Sequence, residues 1–174
     1  MLSSNRKVRE GKRNRGSPLP ALIAGATLVV LLRFFVIEPV AVTSTSMYPV
    51  LEDGRTAWVF RAAYGLRLPF SDRRIIDWGR VGRQDIVLFN RPDTGAWAIK
   101  RVIGIADDIV RVVGDTVIVG GDRMVSSYSL GHLESGRIPS GHVFVAGDNR
   151  NNSVDSRHYG LVPESQIIGR IIEP

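Results

Sequence analysis

The chain contains no cysteine, which leaves core packing alone to hold any exported domain and closes off thiol catalysis and cysteine-based zinc sites. Histidine is scarce: His132, His142 and His158. Only His158 lies in a polar constellation, so a Ser-His-Asp triad has little to build on, and a solvated loop histidine is the expectation. Lysine is equally scarce, although the chain is basic: of 23 basic side chains only Lys7, Lys12 and Lys100 are lysine. Charge is also unevenly placed. Arg6, Lys7, Arg9, Lys12, Arg13 and Arg15 against Glu10 account for +5 of the net +6, and the remainder holds 17 basic and 16 acidic residues. A body this close to neutral lacks the basic face that nucleic-acid binding requires. Neither heptads nor a solenoid-length repeat are evident.

Directly after the basic cluster comes one long apolar run. Leu19 to Ile37 reads LPALIAGATLVVLLRFFVI. As a helix its 19 positions would span roughly 28 Å, close to the hydrocarbon thickness of a bilayer. Arg33 lies near the far end, where its guanidinium reaches the interface. The positive-inside rule then puts the N-terminus in the cytoplasm. A cleaved signal peptide has the same order of features, but this run exceeds an ordinary h-region and Val40-Ala41-Val42-Thr43 lacks a small-x-small site. The expected organisation is a basic cytoplasmic tail over 1–17, a transmembrane anchor over 18–40 and an extracytoplasmic β-rich domain over 41–174.

Beyond the anchor the apolar period changes to that of strands. Thr56–Phe60, Asp85–Phe89, Trp97–Ile103, Val143–Ala146 and Ile167–Ile172 read as strands. Ile109–Val113 and Thr116–Val119 read as a hairpin around Gly114-Asp115. Short Val- and Ile-rich strands separated by Gly, Pro and Asp predict a mainly β body. Residues 61–83 and 126–141 read as surface loops or insertions.

Three stretches carry chemistry. Ser46 sits in Ser44–Leu51 (STSMYPVL), directly after the apolar run. A serine hydroxyl needs a base to become nucleophilic, and a desolvated lysine is such a base, whereas arginine keeps its proton. Lys100 is the lone lysine outside the tail, and strand alternation groups it with Ala98 and Val102 on an apolar face. The third stretch, Gly147–Gly160 (GDNRNNSVDSRHYG), must satisfy its own polar groups, as a solvated turn or as the shell of a polar site. It fails as a calcium loop, since Arg150 and Ser153 stand where a ligand and a glycine belong.

Taken in order, Glu38-Pro39, Ser44–Leu51, Gly82–Phe89 (GRQDIVLF), Lys100–Asp108 (KRVIGIADD) and Gly147–Arg157 resemble the bacterial type I signal peptidases. These are membrane-bound Ser-Lys serine proteases. The resemblance implies a signal-peptidase-like β-barrel or sandwich behind one transmembrane helix. It implies Ser46 as nucleophile, Lys100 as general base, and Ser44 with the Ser46 amide as oxyanion hole. It gives Ser153 the part of orienting the lysine, has Met47 shape the pockets beside the nucleophile, and makes Asp148, Arg150, Asp155 and Arg157 supports through hydrogen bonds and ion pairs. No cofactor and no metal are implied. The implied partners are preprotein signal peptides, the lipid bilayer and the secretion translocon, at the cytoplasmic membrane.

The chain departs from the family pattern in places: Gln84 stands where glycine is usual, Ala106-Asp107 where Pro-Gly is common, and Thr45 where a small residue is common. Two other readings compete. One is a LexA-type self-cleaving protease, against which the anchor and the lack of a helix-turn-helix domain speak. The other is a catalytically inactive, membrane-tethered peptide-binding β-domain, against which the intact Ser46 and Lys100 speak.

Overall fold

The computed structural model describes residues 17–67, 74–125 and 133–172, with the side chains of residues 30–35, 67, 74 and 75 outside the description. The basic tail and much of the 126–141 segment, His132 included, therefore fall outside the described residues. The chain divides into two units, residues 1–32 and 33–174.

Helix α1 spans Leu19–Val36, the body of the apolar run. It stops there because the next residues are recruited into a sheet: strand β1, Ile37–Ala41, pairs antiparallel with β2, Thr56–Phe60. The apolar run is thus divided between helix and strand, with the helix ending at Val36. Among the described residues no helix is long and apolar enough to cross a membrane.

The remaining strands are β3 (Gly65–Arg67), β4 (Arg74–Asp77), β5 (Ile86–Asn90), β6 (Trp97–Gly104), β7 (Ile109–Val113), β8 (Thr116–Val119), β9 (Asp122–Val125), β10 (Gly136–Arg137), β11 (His142–Ala146), β12 (Val162–Pro163) and β13 (Ile167–Ile172). A four-residue helix, α2, covers Ser156–Tyr159. The body is mainly β, as expected. Its main sheet has seven strands in the order β1-β2-β13-β5-β6-β11-β12, each pair antiparallel. A four-stranded sheet runs β10-β7-β8-β9, and β3 pairs with β4 alone. The expected hairpin is present, with Val113 opposite Thr116 across Gly114-Asp115.

Strand β5 shows why the main sheet is stable. Its residues Ile86–Phe89 are all buried, so both faces are covered and the sequence reads as an unbroken apolar run. On one face Ile86 and Leu88 join Val59, Ile168 and Ile171 in one cluster, and on the other Val87 and Phe89 join Val102, Val143 and Val145 in a second. A third cluster seats the small sheet through Val117, Val119 and Met124 against Ile103 and Phe144. Gly104 permits that approach, because a Cβ there would lie 2.5 Å from Val119 Cγ1 and 2.7 Å from Ile138 Cδ1.

The departures from the family pattern keep glycine's backbone. Gln84 and Asp107 adopt φ of 68° and 73°, the left-handed region. Aspartate visits it routinely, and a glutamine there costs about 1 kcal/mol. Each is held by neighbours: the Gln84 N–H donates to Val102 O, and the Asp107 N–H to Ile138 O.

Candidate active site

Two segments far apart in sequence meet at the centre of the site. Thr45–Met47 form a single 3-10 turn with Ser44 as N-cap. Lys100 projects from the middle of β6, opposite Val87 of β5. The Lys100 amine lies 2.8 Å from Ser46 Oγ, with both residues only 6% exposed. Its other hydrogen bond is to the carbonyl of Ile99, at 3.0 Å. Burial lowers the amine from its ordinary 10.5 to about 8; the Asp155 charge works against that fall and the Arg91 charge assists it.

The nucleophile turn is fixed from three directions. Met47 is buried in the first core cluster with Val42, Leu51 and Leu88. The Ser46 N–H donates to Ser44 Oγ at 3.2 Å, and the Ser46 carbonyl accepts the Asn149 N–H at 3.0 Å. Thr45 is held by two asparagine side chains: its carbonyl accepts from Asn149 Nδ2 and its Oγ1 from Asn152 Nδ2. The unusual threonine is thereby tied into the polar loop.

That loop is built around a buried ion pair. Arg157 donates to both oxygens of Asp155, to the carbonyls of Arg150 and Val125, and more weakly to that of Ser153. Asp155 caps α2 and also accepts the Gly147 N–H at 3.0 Å. Burial acts to raise the Asp155 carboxyl, but the bonds and charge of Arg157, the Gly147 N–H and the Ser153 hydroxyl hold it below its ordinary value. Asp148 forms a two-toothed ion pair with Arg101 at 2.8 and 2.9 Å. Arg150 donates to Gly147 O and lies 3.8 Å from Asp122. His158 is no solvated loop histidine: its Nδ1 accepts the Asp155 N–H and completes a capping box.

Of the site residues expected from the sequence, Ser44, Met47 and Ser153 line the same cleft as Ser46 and Lys100, and Asp148, Arg150, Asp155 and Arg157 lie in the polar loop and its helix. The Ser153 Oγ is buried and makes no hydrogen bond of ordinary geometry, and the amine it was expected to orient is held by Ser46 and Ile99. Ser153 packs closely on Gly147, where a Cβ would lie 2.3 Å from Ser153 Oγ and 2.5 Å from Ser46 O, so only glycine leaves room for both. The sequence reading missed Gly147 as a spacer, Asn149 and Asn152 as ties, and Arg101 as the partner of Asp148. Arg101 carried a signal, since a cation beside a buried lysine calls for an anion nearby.

The pair opens on a cleft of about 490 Å³ lined by Val40–Ser44, Met47, Leu88, Trp97–Lys100 and Ser153 among others. Among the described residues no cluster of three or more His, Asp or Glu side chains is placed to hold a metal. A hydroxyl against an amine whose proton affinity is lowered by burial, in a cleft of mixed polar and apolar lining, is an arrangement suited to serine hydrolase chemistry.

Comparison with known proteins narrows that class. The model of the family described as signal peptidase, peptidase S26, matches residues 17–174. A probable signal peptidase I-1 of Synechocystis is 37% identical over 166 residues, covering 88% of this chain and 79% of the relative. Signal peptidase I T of Bacillus subtilis is 32% identical over 164 residues, covering 86% and 79%. Signal peptidase I of Pseudomonas fluorescens is 30% identical over 187 residues, covering 82% of this chain and 66% of the relative. The chain belongs to the signal peptidase family, peptidase S26, and with it to the serine endopeptidases.

Proposed function

We propose that the chain is a signal peptidase I that removes signal peptides from exported preproteins after a small-x-small motif, with Ser46 as nucleophile and Lys100 as general base. The observation that carries this is the 2.8 Å contact between two buried groups, one of them an amine lowered by burial from 10.5 to about 8. With a midpoint near 8, about a tenth of the amines are neutral at pH 7. A neutral amine accepts the Ser46 proton as the oxygen attacks the substrate carbonyl. The oxyanion that forms takes the Ser46 N–H, and the Ser44 hydroxyl, which now accepts that N–H, turns to donate as well. The mature protein leaves as an amine, and water activated by the same lysine frees the signal peptide from the acyl-enzyme.

Strand β1 ends the main sheet, and Val40–Ser44 line the cleft. An extended substrate adding to that edge presents alternate side chains to the cleft, which fits selection for small residues. The supports assigned to Asp148, Arg150, Asp155 and Arg157 keep the loop in place behind the pair.

The membrane part of the reading rests on the run of basic residues followed by α1. It places the chain as a single-pass protein of the cytoplasmic membrane, residues 1–17 inside and the β domain outside, where preproteins leave the translocon. The absence of cysteine makes this simple to test. A single cysteine at Ser3 should react with an impermeant maleimide only after lysis, and one at Ser165 in intact spheroplasts. The reverse pattern would overturn the topology.

For the activity, a small-x-small signal-peptide substrate in detergent is compared across wild type, Ser46→Ala and Lys100→Arg. Wild type should cut after the small residue, with an acid limb in kcat/KM near pH 8. Binding without cutting would replace the peptidase with a peptide-binding domain.

A further inference from the structure

Among the described residues, Arg91 and Lys100 are the charged side chains lining the cleft, and the acyl-transfer mechanism leaves Arg91 without a part. Its guanidinium is held on two sides. It donates to both oxygens of Asp93, at 3.0 and 2.6 Å, and it lies over the Tyr159 ring, 5.3 Å from the centroid. Tyr159 is itself seated on Phe89, ring centroids 6.4 Å apart. The backbone is fixed too: the Arg91 N–H donates to Ala96 O, and its carbonyl accepts the Gly95 N–H. The cation is therefore placed, with little freedom to leave.

The pair it makes with Asp93 is lopsided. Arg91 faces the cleft while Asp93 does not line it, and the Asp93 side chain is 39% exposed against 24% for Arg91. Water screens the carboxylate more than the guanidinium, so a net positive field is left on the cleft wall. The opposite arrangement holds at the polar loop, where the Asp155 charge acts on Lys100 while Arg157 is bound to Asp155 and to backbone carbonyls.

We propose that Arg91 is a positioning residue of the proteolytic site: a fixed cation on the wall of the cleft it shares with Lys100, whose field disfavours a second positive charge there and so enlarges the proton-accepting fraction of the Lys100 amine. This rests on the reading of Lys100 as the base. The direction in which the Arg91 charge acts on the amine agrees with it. The charged groups around Lys100 are Asp155 and its partner Arg157 from the polar loop, and Arg91 and its partner Asp93 from the turn between β5 and β6. Arg101 and Asp148 pair with each other beside them.

Two readouts on the full chain in detergent micelles test it: the acid limb of kcat/KM, and the titration of Lys100 by carbon-13 NMR of lysine Cε. The second is unusually clean because Lys7 and Lys12 are the other lysines. Arg91→Gln should raise both midpoints, by about half a pH unit for the loss of one screened charge. Arg91→Lys should leave both where wild type has them. Asp93→Asn, which strengthens the field, should lower both, and it decides the matter alone if Arg91→Gln does not fold. A fall in kcat with neither midpoint moved, or a rise with Asp93→Asn, would overturn the role. If wild type cuts nothing, the peptidase reading fails on its own, and the Lys100 titration still decides for or against Arg91.

Discussion

Lys100 and Arg157 are cations buried to nearly the same degree, 6% and 0% exposed, and both feel the carboxylate of Asp155. Their surroundings differ in kind. Arg157 has both Asp155 oxygens and three carbonyls, so its charge is matched and its donors are used. Lys100 donates to a hydroxyl and to the carbonyl of its own neighbour, neither of which carries a charge to match its own. Burial with full satisfaction makes a rivet. Burial with partial satisfaction makes a group ready to give up its proton.

Exchanging the character of the two should break the comparison. The largest effect is expected at the reactive side: Ser46→Ala or Lys100→Arg should cut cleavage by about 10⁴-fold or more while leaving urea unfolding near wild type. An arginine keeps charge at Lys100 but not basicity, so residual cleavage near wild type would show that charge alone suffices.

On the satisfied side the loss should appear as stability. Asp155→Asn leaves Arg157 buried without its counter-charge, and a cost of about 3–5 kcal/mol is expected in denaturant melts. A variant that stays as stable as wild type but loses cleavage would move Asp155 out of the framework and into the chemistry.

Lys100→Met reverses the sign. The folded-state midpoint near 8 lies below the ordinary 10.5, so the folded protein binds fewer protons than the unfolded chain between those values. The resulting cost is complete below pH 8 and fades as pH rises toward 10.5. Lys100→Met should therefore be more stable than wild type at pH 7, by about 3 kcal/mol at most. The gap should close by about pH 10.5, and a gap independent of pH would sink the idea.

The smallest effect tests the seam between the two regions. Gly147→Ala drives a methyl into Ser153 Oγ and Ser46 O. It should cost about 1–3 kcal/mol and lower kcat more than stability, because the nucleophile's own carbonyl must yield. Equal losses in both would make Gly147 a packing residue only.

Much of this comparison was legible in the sequence. Lysine's rarity singled out Lys100, and period-2 alternation gave its strand and the apolar setting. Strands with both faces buried, such as β5, announced themselves as unbroken Ile-Val-Leu-Phe runs. Illegible were features set by pairing at a distance. Ile37–Ala41 looks like the end of an apolar helix until Thr56–Phe60 is beside it. Strands β3 and β4 stand on residues whose local composition says loop. Ser153 could be placed near the lysine by resemblance, but its close packing on Gly147 follows from two segments of the loop meeting, which local composition does not show.

The position of β13 sets the order of events in the protein's birth. In the main sheet it lies between β2 and β5, so the strands that carry the nucleophile turn and the strands that carry the lysine are joined through it. In a chain made from its N-terminus, Ile167–Ile172 emerge after everything they connect. The pair β1-β2, beside the nucleophile turn, and the pair β5-β6, which carries the lysine, therefore become one sheet only once β13 is in place between them.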